Sequence, residues 1–392
     1  MKSLKRIFCI SILIIVILVL SEANVVRAQE VIGTIPIRGV PLAIAYDSGK
    51  GEIFVAEATN PNMGALNPDN PGIVSVISDS SNKVLTTIPV GEGSMAIAYD
   101  SGKDEIFVAN QGSNTVSVIS DTSNVVVANV PVDNAINLVY DSGMGEIFAL
   151  SAISGSGSGD QVSVISDSSN KVVATVSVYH CFDLAYDAGK GEIFALSASG
   201  SVARSSSSAY SIISIISDKS NSVVANLTVG FTSGGIAYDS GKGEVFVTDT
   251  LNTTLSVISD STNAVVSSTG PVIGLPSYLA YDSGKGEILA AGLGILEVIS
   301  DSNNAVVANV TMIFGEKVVE GPLAYDSGKN EIFVANLNVA SFSGSVYVLS
   351  DASKGTSASS SPAVPELSWL VIVPLLLSML AVAVIVRHRK NR

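Results

Sequence analysis

A nine-residue phrase with the consensus Tyr-Asp-Ser-Gly-Lys-Gly-Glu-Ile-Phe recurs seven times in this chain, beginning at Tyr46, Tyr99, Tyr140, Tyr186, Tyr238, Tyr281 and Tyr325. Neighbouring copies start 41 to 53 residues apart. A unit of that length, made of short strands and turns, cannot bury a hydrophobic face by itself, so successive units must pack against one another. The second unit shows how. Met95 to Tyr99 alternates large and small side chains as a buried strand does, and Asp100 to Asp104 makes a turn. Glu105 to Ala109, Thr115 to Ile119 and Val125 to Val132 supply three further strands, the last two joined by the turn Ser120 to Asn124. Four antiparallel strands per unit and seven units predict an all-β fold, a seven-bladed β-propeller over residues 29–351.

The strand count also predicts how the ring closes. Third strands lead into Asp79, Asp121, Asp167, Asp218, Asp260, Asp301 and Asp351, and a fourth strand follows each of the first six. None follows Asp351. Val31 to Ile37, ahead of the first Tyr-Asp turn, matches the missing strand in pattern (compare Leu85 to Val90), so the N-terminal strand is expected to complete blade seven and remove an open sheet edge.

Both ends of the chain read as targeting segments. Lys2, Lys5 and Arg6, the apolar run Ile7 to Leu20 and the small-residue site at Val26-Arg27-Ala28 predict a signal peptide over residues 1–28. Residues 352–368 are rich in Ser, Ala and Pro and read as a stalk. Residues 369–386 carry no charge and are long enough for a transmembrane helix, and the basic tail 387–392 is expected in the cytoplasm. The expected location is therefore the cell surface, with the propeller outside. Cys9 falls in the signal, which leaves Cys181 as the mature chain's lone cysteine and rules out an internal disulfide.

The whole chain has a net charge of −14. The basic residues concentrate at the two ends, so the region between them holds 13 of the 21 Lys and Arg but 33 of the 35 Asp and Glu, a balance of about −20. Such a surface disfavours nucleic acid and bare anionic lipid.

The run Phe107-Val108-Ala109-Asn110-Gln111-Gly112-Ser113-Asn114-Thr115-Val116-Ser117-Val118-Ile119 resembles the YVTN repeat of archaeal surface-layer proteins and bacterial exported proteins. The resemblance extends over residues 31–351. It implies a seven-bladed propeller at a cell surface and carries no catalytic residues with it. Val364-Pro365-Glu366-Leu367, followed by the apolar run and basic tail, resembles the PEF-type sorting signals of archaeal surface proteins, with Leu367 where that family has Phe. This implies removal of the segment by a sortase-like protease; a retained membrane anchor is the alternative.

Comparing the units separates scaffold from candidate site. The Tyr-Asp-Ser-Gly turns and the Ser-Asp-Ser-Ser-Asn turns are near copies and belong to one face of a propeller. The connections at 60–72, 151–161, 197–210 and 338–345 differ in length and content, and that opposite face is where binding is expected. Three residues before each turn Tyr, around the channel, stand Ala43, Ala96, Asn137, Asp183, Gly235, Tyr278 and Pro322. Asn137, Asp183 and Tyr278 break the run of small residues, and His180 and Cys181 lie close by. These give the candidate binding residues: Asn137, His180, Asp183 and Tyr278. A Cys-His pair can act as nucleophile and base, but neighbours on a strand point to opposite faces, and no second His exists between the two ends to complete a metal set. The repeated Asp and Glu raise calcium as a possible cofactor. One turn alone supplies too few carboxylates for a site, so a structural turn is the expectation and neither metal nor cofactor is assigned. Asn226, Asn252 and Asn309 head glycosylation acceptor motifs.

No catalytic constellation emerges, and the expectation is a non-enzymatic surface or adhesive protein whose partners are envelope glycans or surface proteins. A lactonase-like or other metal-assisted hydrolase at the channel mouth is the alternative.

Overall fold

In the computed structural model the described residues run from Glu30 to Asp351, without 60–68, 70, 153–159, 199–209, 231–233, 251, 315–316, 320 and 337–343. The signal peptide, stalk, membrane span and tail expected from the sequence all lie outside them, as does most of each variable connection. Among the described residues no helix is long and apolar enough to cross a membrane.

Seven four-stranded antiparallel sheets form the seven blades. Blade 1 runs Val40–Asp47, Glu52–Ala58, Pro71–Ser78 and Lys83–Glu92, from channel to rim, and blades 2 to 6 repeat this order. Blade 7 supplies only Leu323–Asp326, Glu331–Ala335 and Ser345–Ser350 from its own stretch of chain. Its outer strand is Glu30–Pro36, paired antiparallel with Ser345–Ser350 from Glu30↔Ser350 to Pro36↔Ser345. The N-terminal strand therefore closes the ring.

The hydrophobic core lies between blades rather than within them. Six of the seven second strands drive an aromatic side chain inward: Phe54, Phe107, Phe148, Phe194, Phe246 and Phe333 are fully buried, with Leu289 in the same place in blade 6. Seven apolar clusters each join two successive blades. One contains Phe54, Val74 and Ile88 of blade 1 with Ile97, Ile106 and Ile119 of blade 2; the closing one joins Ile35, Ile37 and Phe333 to Ile53, Val55 and Ile77. A Phe or Ile buried in this way stabilises the fold by about 1.5–3 kcal/mol.

Two sets of bulges shape the disc. On the rim, every outer strand carries one extra residue, namely Ile32, Leu85, Val127, Val173, Val224, Val266 and Val307, which the ladder to the third strand skips. The bulge turns that aliphatic side chain outward, and Leu85 is 54% exposed. A bulged edge pairs poorly with a foreign strand, which protects all seven outer edges. Around the channel, the inner strands of blades 1 to 4 are bulged at Leu42, Met95, Ile136 and Phe182. The inner strands of blades 5 to 7 are shorter and regular.

Candidate functional site

The repeated turns lock one face of the disc. In each Tyr-Asp turn the Asp is fully buried and its Oδ1 accepts two main-chain N–H groups, from the residues two and three further on, at 2.7–3.2 Å. The turn then ends on a left-handed residue: Gly51, Gly145, Gly191, Gly243 and Gly286, with Asp104 and Asn330 in blades 2 and 7. Only Gly, Asn and Asp adopt that conformation readily, which explains the restricted choice.

Two links then tie each blade to the next. The turn Tyr of one blade directs its hydroxyl at the turn Asp of the blade before: Tyr99 at Asp47, Tyr140 at Asp100, Tyr186 at Asp141, and so round to Tyr46 at Asp326. The second oxygen of each Asp is buried and has no hydrogen-bond partner of its own, and where the phenols donate they do so beside it, Tyr99 to Asp104, Tyr238 to Asp260 and Tyr325 to Asn330, at 3.0–3.4 Å. Burial first, and the facing carboxylate second, push all seven phenols well above the usual tyrosine range, so they remain protonated donors. In return, the turn Lys reaches the third-strand Asp of the following blade. Lys50, Lys103, Lys190, Lys242 and Lys329 donate to the carbonyls of Asp121, Asp167, Asp260, Asp301 and Asp79, and Lys285 donates to the carboxylate of Asp351. Blade 3 has Met144 at this position and makes no such link.

The first halves of the inner strands, nearer the opposite face, line an axial cavity of about 480 Å³. Leu42, Met95, Ile136 and Phe182, the bulge residues of blades 1 to 4, give it an apolar side, and Ser277, Tyr278 and Pro322 complete the other. Asn137 and Asp183 meet here, with Asn137 Nδ2 donating to Asp183 Oδ1 at 2.8 Å. Asp183 Oδ1 also accepts the Leu184 N–H at 2.9 Å, and Oδ2 accepts the N–H of Ile236 in blade 5 at 3.1 Å. The carboxylate is half-buried in the channel wall, and desolvation there pushes it up to about 6. With three N–H donors on two oxygens it works as a brace between blades 4 and 5. Those three donors occupy both oxygens, so a metal would have to displace them.

The structure thus brings Asn137, Asp183 and Tyr278 to one cavity but leaves His180 out of its lining. His180 is exposed in the connection before the inner strand, in a left-handed conformation (φ 44°), with its ring edge-on to Tyr179 at 4.2 Å. Cys181 is buried, and burial pushes its thiol well above the usual range. The two side chains do not form a nucleophile-base pair. Asn226, Asn252 and Asn309 are all exposed, although Asn226 accepts from Ser214 Oγ and Asn252 donates to Asp249.

A grouping that the sequence reading missed lies on the locked face. Asp282 and Glu287 of blade 6 and Asp351 of blade 7 bring carboxylate oxygens within 4.8 Å of one another. Burial and the adjacent Asp351 push Asp282 up to about 6. Lys285 already contacts Asp351 Oδ1, so these residues could hold a metal only in place of that ammonium. Asp351 lies 69 residues beyond Asp282, too far along the chain for any local motif to reveal the trio.

No protein-family model matches the chain, and neither does any curated protein. Many solved chains share its architecture. One of them, from Kuenenia stuttgartiensis hydrazine synthase, aligns with a TM-score of 0.62 at 14% identity, over 80% of this chain and 95% of that one. At that identity the likeness concerns the fold alone. What the fold and site define is a seven-bladed β-propeller with one locked face and an axial cavity braced by Asn137 and Asp183.

Proposed function

We propose that this protein is an exported, membrane-anchored propeller that binds envelope glycans or neighbouring surface proteins through the variable connections on the face opposite the Tyr-Asp turns. The observation that carries the proposal is the contrast between the faces. One repeats the same Asp-anchored turn in every blade and the same Lys link in six of the seven; the other is free to vary in length and content, as recognition loops on a rigid scaffold do. The signal peptide, the stalk and membrane span, the YVTN-like repeats and the PEF-like segment read from the sequence support display at a surface.

The hydrolase alternative places a divalent ion and a reacting ester in the axial cavity. In its favour, Asn137, Asp183 and Tyr278 share that cavity, and Asp183 sits near pH 6. Against it, Asp183 already receives three donors. The test is retention of the purified chain on isolated cell envelope. Retention that disappears when the connections at 153–159 and 199–209 are shortened supports binding. Absence of retention, together with metal-dependent ester cleavage abolished in Asp183→Ala, would replace this reading with the hydrolase.

A further inference from the structure

Six of the seven seams on the locked face carry their own cation. In each, a lysine ammonium from one blade sits against the third-strand Asp of the next, with Nζ to Oδ1 distances of 3.6 Å for Lys50–Asp121, 3.8 Å for Lys103–Asp167 and 3.3 Å for Lys329–Asp79. The seam between blades 3 and 4 has Met144 where the lysine belongs, and the thioether carries no charge; the ammonium that acts on Asp218 there is that of exposed Lys219, its chain neighbour, and not one from blade 3. Its partner position is Asp218, which is only 4% exposed. Asp218 Oδ1, the atom that faces the ammonium in the lysine seams, is buried with no hydrogen-bond partner. None of the other six third-strand aspartates has its Oδ1 in that state.

The seam keeps the geometry of its neighbours. A Cβ on Gly143 would lie 3.9 Å from Asp218 Oδ2, against 4.0 Å for Gly189 and Asp260 Oδ2 at the lysine-bridged seam that follows. The electrostatics differ. Glu146 feels Asp141, Asp218 and Asp167 and has no lysine to offset them, whereas the corresponding Glu52, Glu105, Glu192, Glu244 and Glu331 each have one. Met144 is 52% exposed, so the place is reachable from solvent.

We infer that the seam between blades 3 and 4 is a divalent-cation site, in which a calcium ion held by Asp218 Oδ1, the Asp218 carbonyl and Glu146 takes the place filled by a lysine ammonium in the other six. These are hard oxygen donors on a net-anionic surface, the chemistry that selects Ca²⁺ over softer metals. The ion completes the ring of cross-blade links, so it acts as a structural clamp and is separate from the axial cavity.

The test is thermal unfolding of the full chain, stripped with chelator and then given calcium chloride, for the wild type, Met144→Lys and Asp218→Asn. Saturating calcium is expected to raise the wild-type Tm by about 3 °C. Met144→Lys, which supplies the cation covalently, is expected to raise the calcium-free Tm and to abolish the calcium response, and Asp218→Asn to abolish the response. A wild-type Tm unmoved by calcium overturns the inference. So does a calcium response that survives in Met144→Lys, which would place the ion elsewhere, for instance at the Asp282, Glu287 and Asp351 trio.

Discussion

The two faces of this disc are built on opposite rules. On the turn face, the polar groups repeat around the ring and are committed to a neighbour at every seam but the one after blade 3: the buried Asp to its own turn, the Tyr to the blade before, the Lys to the blade after. Around the axial cavity the sevenfold pattern lapses. Four inner strands are bulged and three are not, and Asn137, Asp183 and Tyr278 interrupt a series of small residues. Repetition marks what the fold requires of every blade. The lapses show where the fold tolerates variety, and such tolerance is a precondition for a binding site.

The contrast can be broken most severely at the ring closure. Deleting residues 30–37 removes the whole ladder to Ser345–Ser350 together with Ile35 and Ile37 from the closing core cluster. The deletion variant is expected to lose cooperative unfolding or to aggregate through its bared edge. A melting curve like the parent's would refute the closing role of this strand.

A less drastic comparison sets a buried turn carboxylate against a side chain of the cavity wall. Asp100→Ala leaves two main-chain N–H groups without the buried carboxylate that accepts them and removes the group that faces the Tyr140 hydroxyl, and should cost about 2 kcal/mol in chemical denaturation. Tyr278→Ala, in the cavity wall, should cost less and leave the turn face intact. If the two costs come out in the opposite order, the division between the faces is wrong.

The left-handed turn position sharpens the point further. At Gly243 a Cβ would meet Asp260 Oδ2 at 2.5 Å and φ is +67°. Gly243→Ala should lose about 1–2 kcal/mol. Gly243→Asn should lose less, because Asp104 and Asn330 already occupy this position in other blades with φ near 57°. Equal losses for both would mean that space, and not backbone conformation, sets the restriction.

The smallest expected effect is on pH dependence. Asp183 titrates near 6 in the folded chain against 3.8 ordinarily, and burial also raises six turn glutamates, Glu52, Glu105, Glu146, Glu192, Glu244 and Glu331. An acid whose folded value is raised holds its proton more tightly in the folded state. Its contribution is therefore full below the unfolded value and is lost as pH rises through the folded one. Stability should fall between about pH 4 and pH 6, and Asp183→Asn should flatten part of that decline. A wild-type chain that is more stable at pH 7 than at pH 4.5 would contradict this sign.

Much of the architecture was legible because the blade is written seven times. The Tyr-Asp phrase marks each inner turn, and Val31 to Ile37 repeats the pattern of an outer strand closely enough to announce the closure. The rim bulges were not legible. Val127 and Val173 sit in unbroken aliphatic runs, where alternation cannot show which residue the ladder skips. The cross-blade lysine links were hidden by distance, since partners lie 59 to 71 residues apart and Lys329 is 250 residues from Asp79. Even so, Met144 was visible as the one uncharged residue in its column of repeats. At the cavity, Asn137, Asp183 and Tyr278 could be picked out as departures from small residues. That Asp183 is spent on three N–H donors depended on a neighbouring blade, which one sequence cannot place.

The central claim, that one face holds the ring together and the other binds, is tested most directly by measuring melting temperature and envelope retention on the same two variants. Shortening the connections at 153–159 and 199–209 should leave the Tm within a degree or two and abolish retention, while Asp100→Ala should lower the Tm and leave retention intact at temperatures where it is folded. Retention that survives loop shortening but disappears with Asp100→Ala in the folded state would contradict the account, because the turn face would then be the binding face.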